Sequence, residues 1–336
     1  VNYTNVIKGK DLILPNPFLK SFPLQKGRVT RVRLQSLRCN YLTYQILDHG
    51  QGGPGPSCAR AQPGHYRQDD YFIVTFLQVQ SVLKNIVRDW SSVGAAEREQ
   101  CYRPILDAIE ELFPADDYTS LQEVRVLVPG AGLGRLAWEV AARGYFCQGN
   151  EFSLFMLFAS NFVLNRCHEV VHPWLHQYVN NMSCEHQLFA ASFPDARPQP
   201  AQAAGFSMTA GDFLKVYTEP DEWSCVATCF FIDCAPNVIE FIERIYTILL
   251  PGGYWVNLGP LLYHYSDMPT ENSIEPPYDL LLEIIRDIGF EKEETGVKTK
   301  YAQNPYSMMQ HEYNSVFFVC RKPKYPHKNV IRFWCL

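Results

Sequence analysis

Residues 124–151 read VRVLVPGAGLGRLAWEVAARGYFCQGNE: a β-branched run, a glycine turn, a helical pattern, a second strand and a terminal acid. Few stretches restrict a chain so much. Glycines at Gly130, Gly132 and Gly134 let the backbone turn sharply after a strand, with helix N–H groups facing whatever sits above the turn. The arrangement demands a sheet with a helix packed on it, and it holds a nucleotide. A dinucleotide site spaces its glycines G-x-G-x-x-G; here the third glycine comes one residue early, and Arg135 stands where it would be. By itself the turn leaves the nucleotide open.

The alternation continues downstream. After the strand YFCQGNE comes an apolar helix over 154–165, then FSMTAGDF and the strand CVATCFFID. A helix over 237–250, a Pro-Gly-Gly turn and the strand YWVNLG follow. Near the end, YDLLLEIIRDIGF reads as a helix and NSVFFVCRK as a strand that closes the sheet antiparallel. Strands alternating with helices predict an α/β fold, a Rossmann-like, mostly parallel sheet covered on both faces. Upstream, Phe72, Phe76, Val79, Leu83, Ile86, Val87 and Trp90, then Ile105, Ile109 and Leu112, recur at helical spacing, with Ser91 or Ser92 as a cap between them. The organisation expected is an N-terminal helical segment over 1–115, carrying a Gly/Pro-rich loop at 50–70, and a nucleotide-binding domain over 116–336.

Composition narrows the class. With 47% hydrophobic and 19% charged residues, the 336-residue chain can fill a core. Thirty basic residues against thirty-five acidic, without a basic cluster, argue against a nucleic-acid partner. The richest apolar stretch, FIVTFLQVQSVLKNIV, is broken by Gln78, Gln80, Lys84 and Asn85, so no membrane span is expected. The start lacks a secretory pattern. None of the eleven cysteines forms a C-x-x-C pair, and Cys225, Cys229 and Cys234 fall in what reads as a buried strand. The expectation is therefore reduced thiols, no metal, and a cytoplasmic protein that also suits the nucleus. A homodimer is compatible with this composition but not readable from it.

Three further features decide the nucleotide. Glu151 ends the second strand, seventeen residues after Gly134, where a carboxylate can accept from both ribose hydroxyls. AGDF places Asp212 and Phe213 beyond an apolar strand, where class I methyltransferases use an acid for the adenine amino group and an aromatic for its ring. LLPGGYWVN at 249–257 is typical of such methyltransferases and rare in dehydrogenases. The expected cofactor is S-adenosyl-L-methionine, with S-adenosyl-L-homocysteine as product.

The chain also resembles one family, the carnosine N-methyltransferases, from about 79 to 322. The resemblance rests on VRDWS (87–91), AEREQCY (96–102), VLVPGAGLGRLAWEVA (126–141), GNEFSLFMLFASNFVLN (149–165), AGDF (210–213), FFID (230–233), LLPGGYWVNLGPLLYH (249–264) and SMM followed by EY (307–313). It implies a class I methyltransferase fold and methylation of the imidazole π-nitrogen of β-alanyl-histidine (carnosine) to give anserine. It implies further that residues within 258–313 form the substrate pocket of a small dipeptide. On this resemblance Asp233 and His264 are catalytic, and the pocket adds His311 and Tyr313. Asn85, Arg88, Gly130, Gly132, Glu151, Asp212 and Phe213 hold the cofactor, Arg88 through its methionine carboxylate.

The chemistry agrees with that assignment. Imidazole, with a free pKa near ~6.5, is mostly neutral at pH 7 and needs no strong base. It needs a group that holds one ring N–H and leaves the other nitrogen bare. A carboxylate at a strand end, as expected for Asp233, does this and stabilises the charge that grows on the ring. As a bare sequence feature, Asp233 is also a candidate N-cap for the helix after it. Two positions depart from the family pattern: Asn85 replaces the usual Gln, and His311 stands where a tyrosine is expected. Histidine methylation in a peptide or protein, and an idle methyltransferase-fold binding protein, are the alternatives.

Overall fold

The computed structural model describes residues 68–166, 169–197, 205–266, 268 and 272–325. All but the last three residues of the expected 50–70 loop lie outside them, as does the rest of the N-terminal stretch before Gln68. Three helices come first: α1 (Gln68–Trp90), α2 (Ala95–Cys101) and α3 (Arg103–Leu112). The Ser91 side chain does not cap the next helical turn. Its hydroxyl donates to the Val87 carbonyl (2.6 Å) and so closes α1.

The strand-and-helix alternation then appears in the expected order. β1 (Arg125–Pro129) leads through the glycine turn into α4 (Arg135–Ala142) and β2 (Phe146–Glu151). Next come α5 (Leu154–Arg166) and a small antiparallel pair, β3 (Glu169–Val171) with β4 (Ala191–Phe193). A short α6 (Cys184–Gln187) lies between those two strands. β5 (Phe206–Ala210), α7 (Phe213–Val216), β6 (Trp223–Cys229), α8 (Val238–Ile248) and β7 (Leu249–Gly259) follow. The chain continues with α9 (Tyr278–Ile288), β8 (Glu291–Thr299) and β9 (Tyr313–Arg321).

Seven strands form one sheet in the order β5-β2-β1-β6-β7-β9-β8. The first five run parallel, and β9 pairs antiparallel with both β7 and β8. This is the mostly parallel sheet with an antiparallel last strand that a class I methyltransferase requires. One neighbour of that last strand was not expected. β8, rich in Glu and Lys, occupies the sheet edge, where charge rather than apolar alternation suits an unpaired flank. A second difference concerns LLPGG, expected to break between helix and strand. α8 already ends at Ile248, and β7 runs from Leu249 through the glycines. Its register against β6 shifts between Trp223 and Cys225, a bulge that Gly252 at φ +87° accommodates.

Apolar clusters cover both faces. On one, Ile242, Ile245, Leu281 and Ile285 of α8 and α9 pack with Trp255 and Phe318. On the other, Ile105, Leu106 and Ile109 of α3 share a cluster with Val126, Val128, Leu136 and Val140. α1 joins a third cluster, in which Ile86 and Trp90 meet Trp138, Val163 and Phe193. Among the described residues no helix is long and apolar enough to cross a membrane.

The chain steps from β1 outward to β2 and β5, then returns to β6 and continues the other way. The crevice at the C-terminal ends of β1 and β6 is thus the topological switch point, where open α/β sheets bind ligands.

Candidate active site

The glycine turn forms one wall of that crevice. Gly130, Gly132 and Gly134 have φ of +65°, +55° and +81°, a region closed to most side chains. Their roles differ. A Cβ on Gly130 would lie 2.4 Å from the Phe231 ring, so that glycine serves packing. A Cβ on Gly132 would meet only Asp89 Oδ2, at 4.0 Å, so its backbone faces open space. The Gly132 N–H donates to Glu151 Oε2 (2.8 Å), and the Ser153 N–H donates to Oε1 (2.7 Å). Glu151 thus stands, fixed, at the end of β2 beside the turn. Burial pushes its carboxyl up, against the opposing pull of these N–H groups.

Asp212 and Phe213 follow β5. Asp212 Oδ1 caps α7 by accepting from the Leu214 N–H (3.0 Å), and Lys215 Nζ lies 3.0 Å from Oδ2. Phe213 is only 4% exposed, its ring enclosed by Phe231, Phe241 and Tyr217. The ring open to solvent in this region is Phe152, 55% exposed and next to Glu151.

Past β6 the backbone bends sharply. Phe230 takes φ +52°, a left-handed conformation uncommon for a bulky side chain, and its N–H donates to the Leu258 carbonyl (2.8 Å). Asp233 follows in a 3-10 turn and is buried. It is not the N-cap of α8; Asn237 is, through its side-chain oxygen and the Ile239 N–H (3.1 Å). Asp233 instead grips the segment after β7 twice. Its Oδ2 accepts from the Leu262 N–H (2.9 Å), and its carbonyl accepts from the His264 N–H (3.0 Å). Tyr263 between them has φ +43° and is anchored by its hydroxyl, which donates to the Pro276 carbonyl (2.7 Å). Burial raises the Asp233 carboxyl above its ordinary range, and the Leu262 N–H and His264 only partly offset this. The exposed His264 places Nε2 4.0 Å from Cys234 Sγ.

A third group comes from the end of α1. The buried Arg88 donates to Asp89 Oδ1 (3.0 Å) and the Tyr102 hydroxyl (2.8 Å), while its Nε–H makes no hydrogen bond and lies 3.8 Å from Glu97 Oε2 as an ion pair. Its guanidinium lies over Tyr301 (4.6 Å), Tyr102 (4.9 Å) and Phe230 (5.9 Å). Burial alone would lower the Arg88 pKa, but Tyr102, Asp89 and Tyr301 outweigh it and hold the group above its ordinary value. A cavity of about 160 Å³ opens beside it, lined also by Lys84, Glu97, Lys300 and Gln303. Asn85, one turn earlier, donates to the Ser81 carbonyl (2.9 Å), and its Oδ1 accepts from the Tyr301 hydroxyl at 3.5 Å.

Phe230 joins these groups. Its ring packs on Tyr301 (4.7 Å) and edge-on to Tyr313 (6.2 Å), which begins β9. Arg88, Asn85 and Tyr313 are thereby brought to the end of β6, which leads to Asp233 and, through its carbonyl, to His264 after β7. His311 sits on the exposed approach to β9, its backbone held by Gln303 on both sides (2.8 and 3.0 Å). Sequence reasoning missed Phe230, Tyr301 and Phe152. Phe230 stands within FFID, but its conformation has no sequence signal; Tyr301 comes after the unforeseen β8.

Comparison with known proteins agrees with this architecture. The sequence model of the carnosine N-methyltransferase family matches residues 67–324. The carnosine N-methyltransferase unmet of Drosophila melanogaster is 58% identical over 254 residues, 74% of this chain and 56% of that protein. The carnosine N-methyltransferase of Rattus norvegicus is 50% identical over 254 residues, 74% of this chain and 63% of the relative. That of Schizosaccharomyces pombe is 41% identical over 266 residues, 74% of this chain and 71% of the relative. The chain thus spans little more than half the length of the fly relative and under two thirds of the rat one. With the family match running from α1 to the end of β9, the chain belongs to the carnosine N-methyltransferase family.

Proposed function

We infer that the protein is an S-adenosylmethionine-dependent N-methyltransferase that methylates the imidazole π-nitrogen of carnosine to give anserine. The observation that carries this reading is the buried Asp233 carboxylate at the switch point, locked by the Leu262 N–H with His264 beside it. We place it in the cytoplasm, with the nucleus as a second compartment, because a cysteine pattern without C-x-x-C pairs suits a reducing environment.

The residues fit the cofactor. Open space above Gly132 leaves room for a ligand against the backbone, and Glu151 presents a carboxylate to a ribose at that place. Arg88, whose buried guanidinium keeps an Nε–H without a hydrogen bond, suits the methionine carboxylate, and Asn85 supports that end. Asp212 serves the adenine end. Phe152 is the ring free to cover the base, since the Phe213 ring is enclosed. The N-terminal helices are on this reading part of the active site. Bound S-adenosylmethionine supplies an electrophilic methyl on a sulfonium and leaves as S-adenosylhomocysteine.

The chain's own groups position the acceptor. Asp233 accepts the imidazole N–H, which selects the tautomer with a bare π-nitrogen, and its charge stabilises the cation that develops on the ring. Orientation of this kind can supply several kcal/mol, toward the ~7–11 of ideal intramolecular cases. His264, exposed at the mouth, hydrogen-bonds the dipeptide or receives the proton that the product releases. Tyr313 closes the pocket beside Phe230, and His311 lies at its rim.

The test supplies labelled S-adenosylmethionine with carnosine, homocarnosine, free histidine or a histidine peptide, and maps the product by NMR. Label on the π-nitrogen of carnosine is expected. Transfer only to the peptide would replace this substrate with a protein histidine; no transfer with cofactor bound would overturn the assignment.

A further inference from the structure

Cys234 lies past the end of β6, not inside the buried strand that contains Cys225 and Cys229. There it meets two groups with metal-ligating atoms. One carboxylate oxygen of Asp233, Cys234 Sγ and one ring nitrogen of His264 all lie within 4.8 Å of one another. Cys234 Sγ and His264 Nε2 are 4.0 Å apart. In tetrahedral zinc, with Zn–S near ~2.3 Å and Zn–N near ~2.05 Å, that pair would stand about 3.6 Å apart. A small turn of the exposed His264 side chain closes the difference. One thiolate, one imidazole and one carboxylate form a three-protein-ligand set, leaving a fourth position open. The supports are already rigid: Asp233 is fixed by the Leu262 N–H, and the backbone of His264 is tied to the Asp233 carbonyl.

We propose that Asp233, Cys234 and His264 form a zinc site, and that zinc bound there blocks methyl transfer. The consequence for activity rests on the function inferred above, because zinc would occupy the carboxylate that orients the imidazole. Zinc binding itself does not rest on it. Binding converts the Cys234 thiol to a thiolate and releases its proton to solvent. Imidazole is itself a zinc ligand. A dipeptide whose bare nitrogen fills the fourth position has no lone pair left to methylate, so substrate and zinc together form a dead-end complex.

The experiment titrates the metal-free protein with Co²⁺, without substrate. Expected are the visible bands of tetrahedral cobalt and a near-ultraviolet thiolate-to-cobalt band, saturating at one equivalent and displaced by Zn²⁺. Cys234→Ser should remove the thiolate band and weaken zinc more than about tenfold, on the scale of a damaged metal site. His264→Ala, at an exposed position, should weaken zinc similarly, whereas Cys184→Ser, at an exposed cysteine elsewhere, should not. The residual transfer of Cys234→Ser should resist zinc at least as strongly as its affinity falls. Absence of a thiolate band, or a band that survives Cys234→Ser, would overturn the site. Methyl transfer to carnosine with no zinc binding sinks this inference alone; zinc binding without transfer to carnosine sinks the function and leaves the site standing.

Discussion

Replacing Asp233 by Asn isolates the charge from the shape. The carboxamide keeps an oxygen for the Leu262 N–H, now 2.9 Å from Oδ2, so the segment through His264 stays in place. That hydrogen bond changes from charged to neutral, a loss of order ~1 kcal/mol. Burial already raises the Asp233 carboxyl. A carboxyl whose folded pKa is raised favours folding only in its protonated state, so at neutral pH the buried anion costs stability, and Asn relieves that cost. The two effects oppose, and the melting temperature should move by only a few degrees. Catalysis should not escape so lightly. The amide NH₂ faces the imidazole where a carboxylate stood, so it repels the ring N–H and rewards the wrong tautomer. Loss of a preorganised charge at the developing cation is worth about 2.7–4 kcal/mol, or 10²–10³-fold, and the inverted tautomer can extend this toward ~10⁴. The assay pairs turnover of carnosine with calorimetric titration of S-adenosylmethionine. Turnover should fall at least about a hundredfold, with cofactor affinity within about twofold. A variant within tenfold of wild type, or one that loses both properties together, would refute the role.

Other positions give independent checks. Glu151→Gln removes the charge that accepts from Gly132 and Ser153; at ~1.5–3 kcal/mol, S-adenosylmethionine should bind about 10–150-fold more weakly by calorimetry, with little change in turnover at saturating cofactor. Phe213→Ala opens a cavity at a 4% exposed ring and should cost about 3–5 kcal/mol in denaturant unfolding. Phe152→Ala, at a 55% exposed ring, should leave unfolding nearly unchanged and weaken the cofactor instead; the reverse pattern would exchange the two roles. In pH profiles, kcat/KM for carnosine should fall tenfold per unit below the substrate's ~6.5, as the ring protonates. A second limb should begin above the ordinary aspartate range, because burial raises Asp233 and its charge is lost as pH falls through that raised pKa. A slope that stays at one throughout would remove Asp233 from the rate equation.

What could be read from the sequence was local. The glycine turn, Glu151 and the strand before Asp233 each lie within a few residues of the feature that betrays them, and the sheet places them as expected. The roles of neighbouring residues were less legible. Asp233 and Asn237 are both sound N-caps by composition, and only the fold shows Asn237 in that role and Asp233 holding Leu262. Phe213 looked like a cover for adenine, but whether an aromatic beside a strand end points inward depends on partners such as Phe241, reached through a later helix. β8 escaped because an edge strand can be charged, and with it went Tyr301, whose hydroxyl meets Asn85 across 216 positions of chain.

The backbone around Asp233 explains why that carboxylate is so firmly placed. Phe230 and Tyr263 both occupy left-handed conformations, each at roughly 1–3 kcal/mol for a non-glycine residue, and one follows each of the two strands, β6 and β7, that lead to the site. Glycine would remove the strain but also the anchors. The Phe230 ring is held between Tyr301, Tyr313 and the Arg88 guanidinium, and Tyr263 is 7% exposed with its hydroxyl on Pro276. Burying the Tyr263 ring contributes about 1.5–3 kcal/mol, enough to offset the conformation it enforces, and the half-buried Phe230 ring recovers part of that. The Phe230 ring also ties the site to α1 and β9, since Arg88 belongs to the one and Tyr313 to the other. The carboxylate is therefore oriented before any ligand arrives, by strain that the aromatic cluster sustains. That is the condition under which a fixed charge lowers a barrier rather than merely binding substrate.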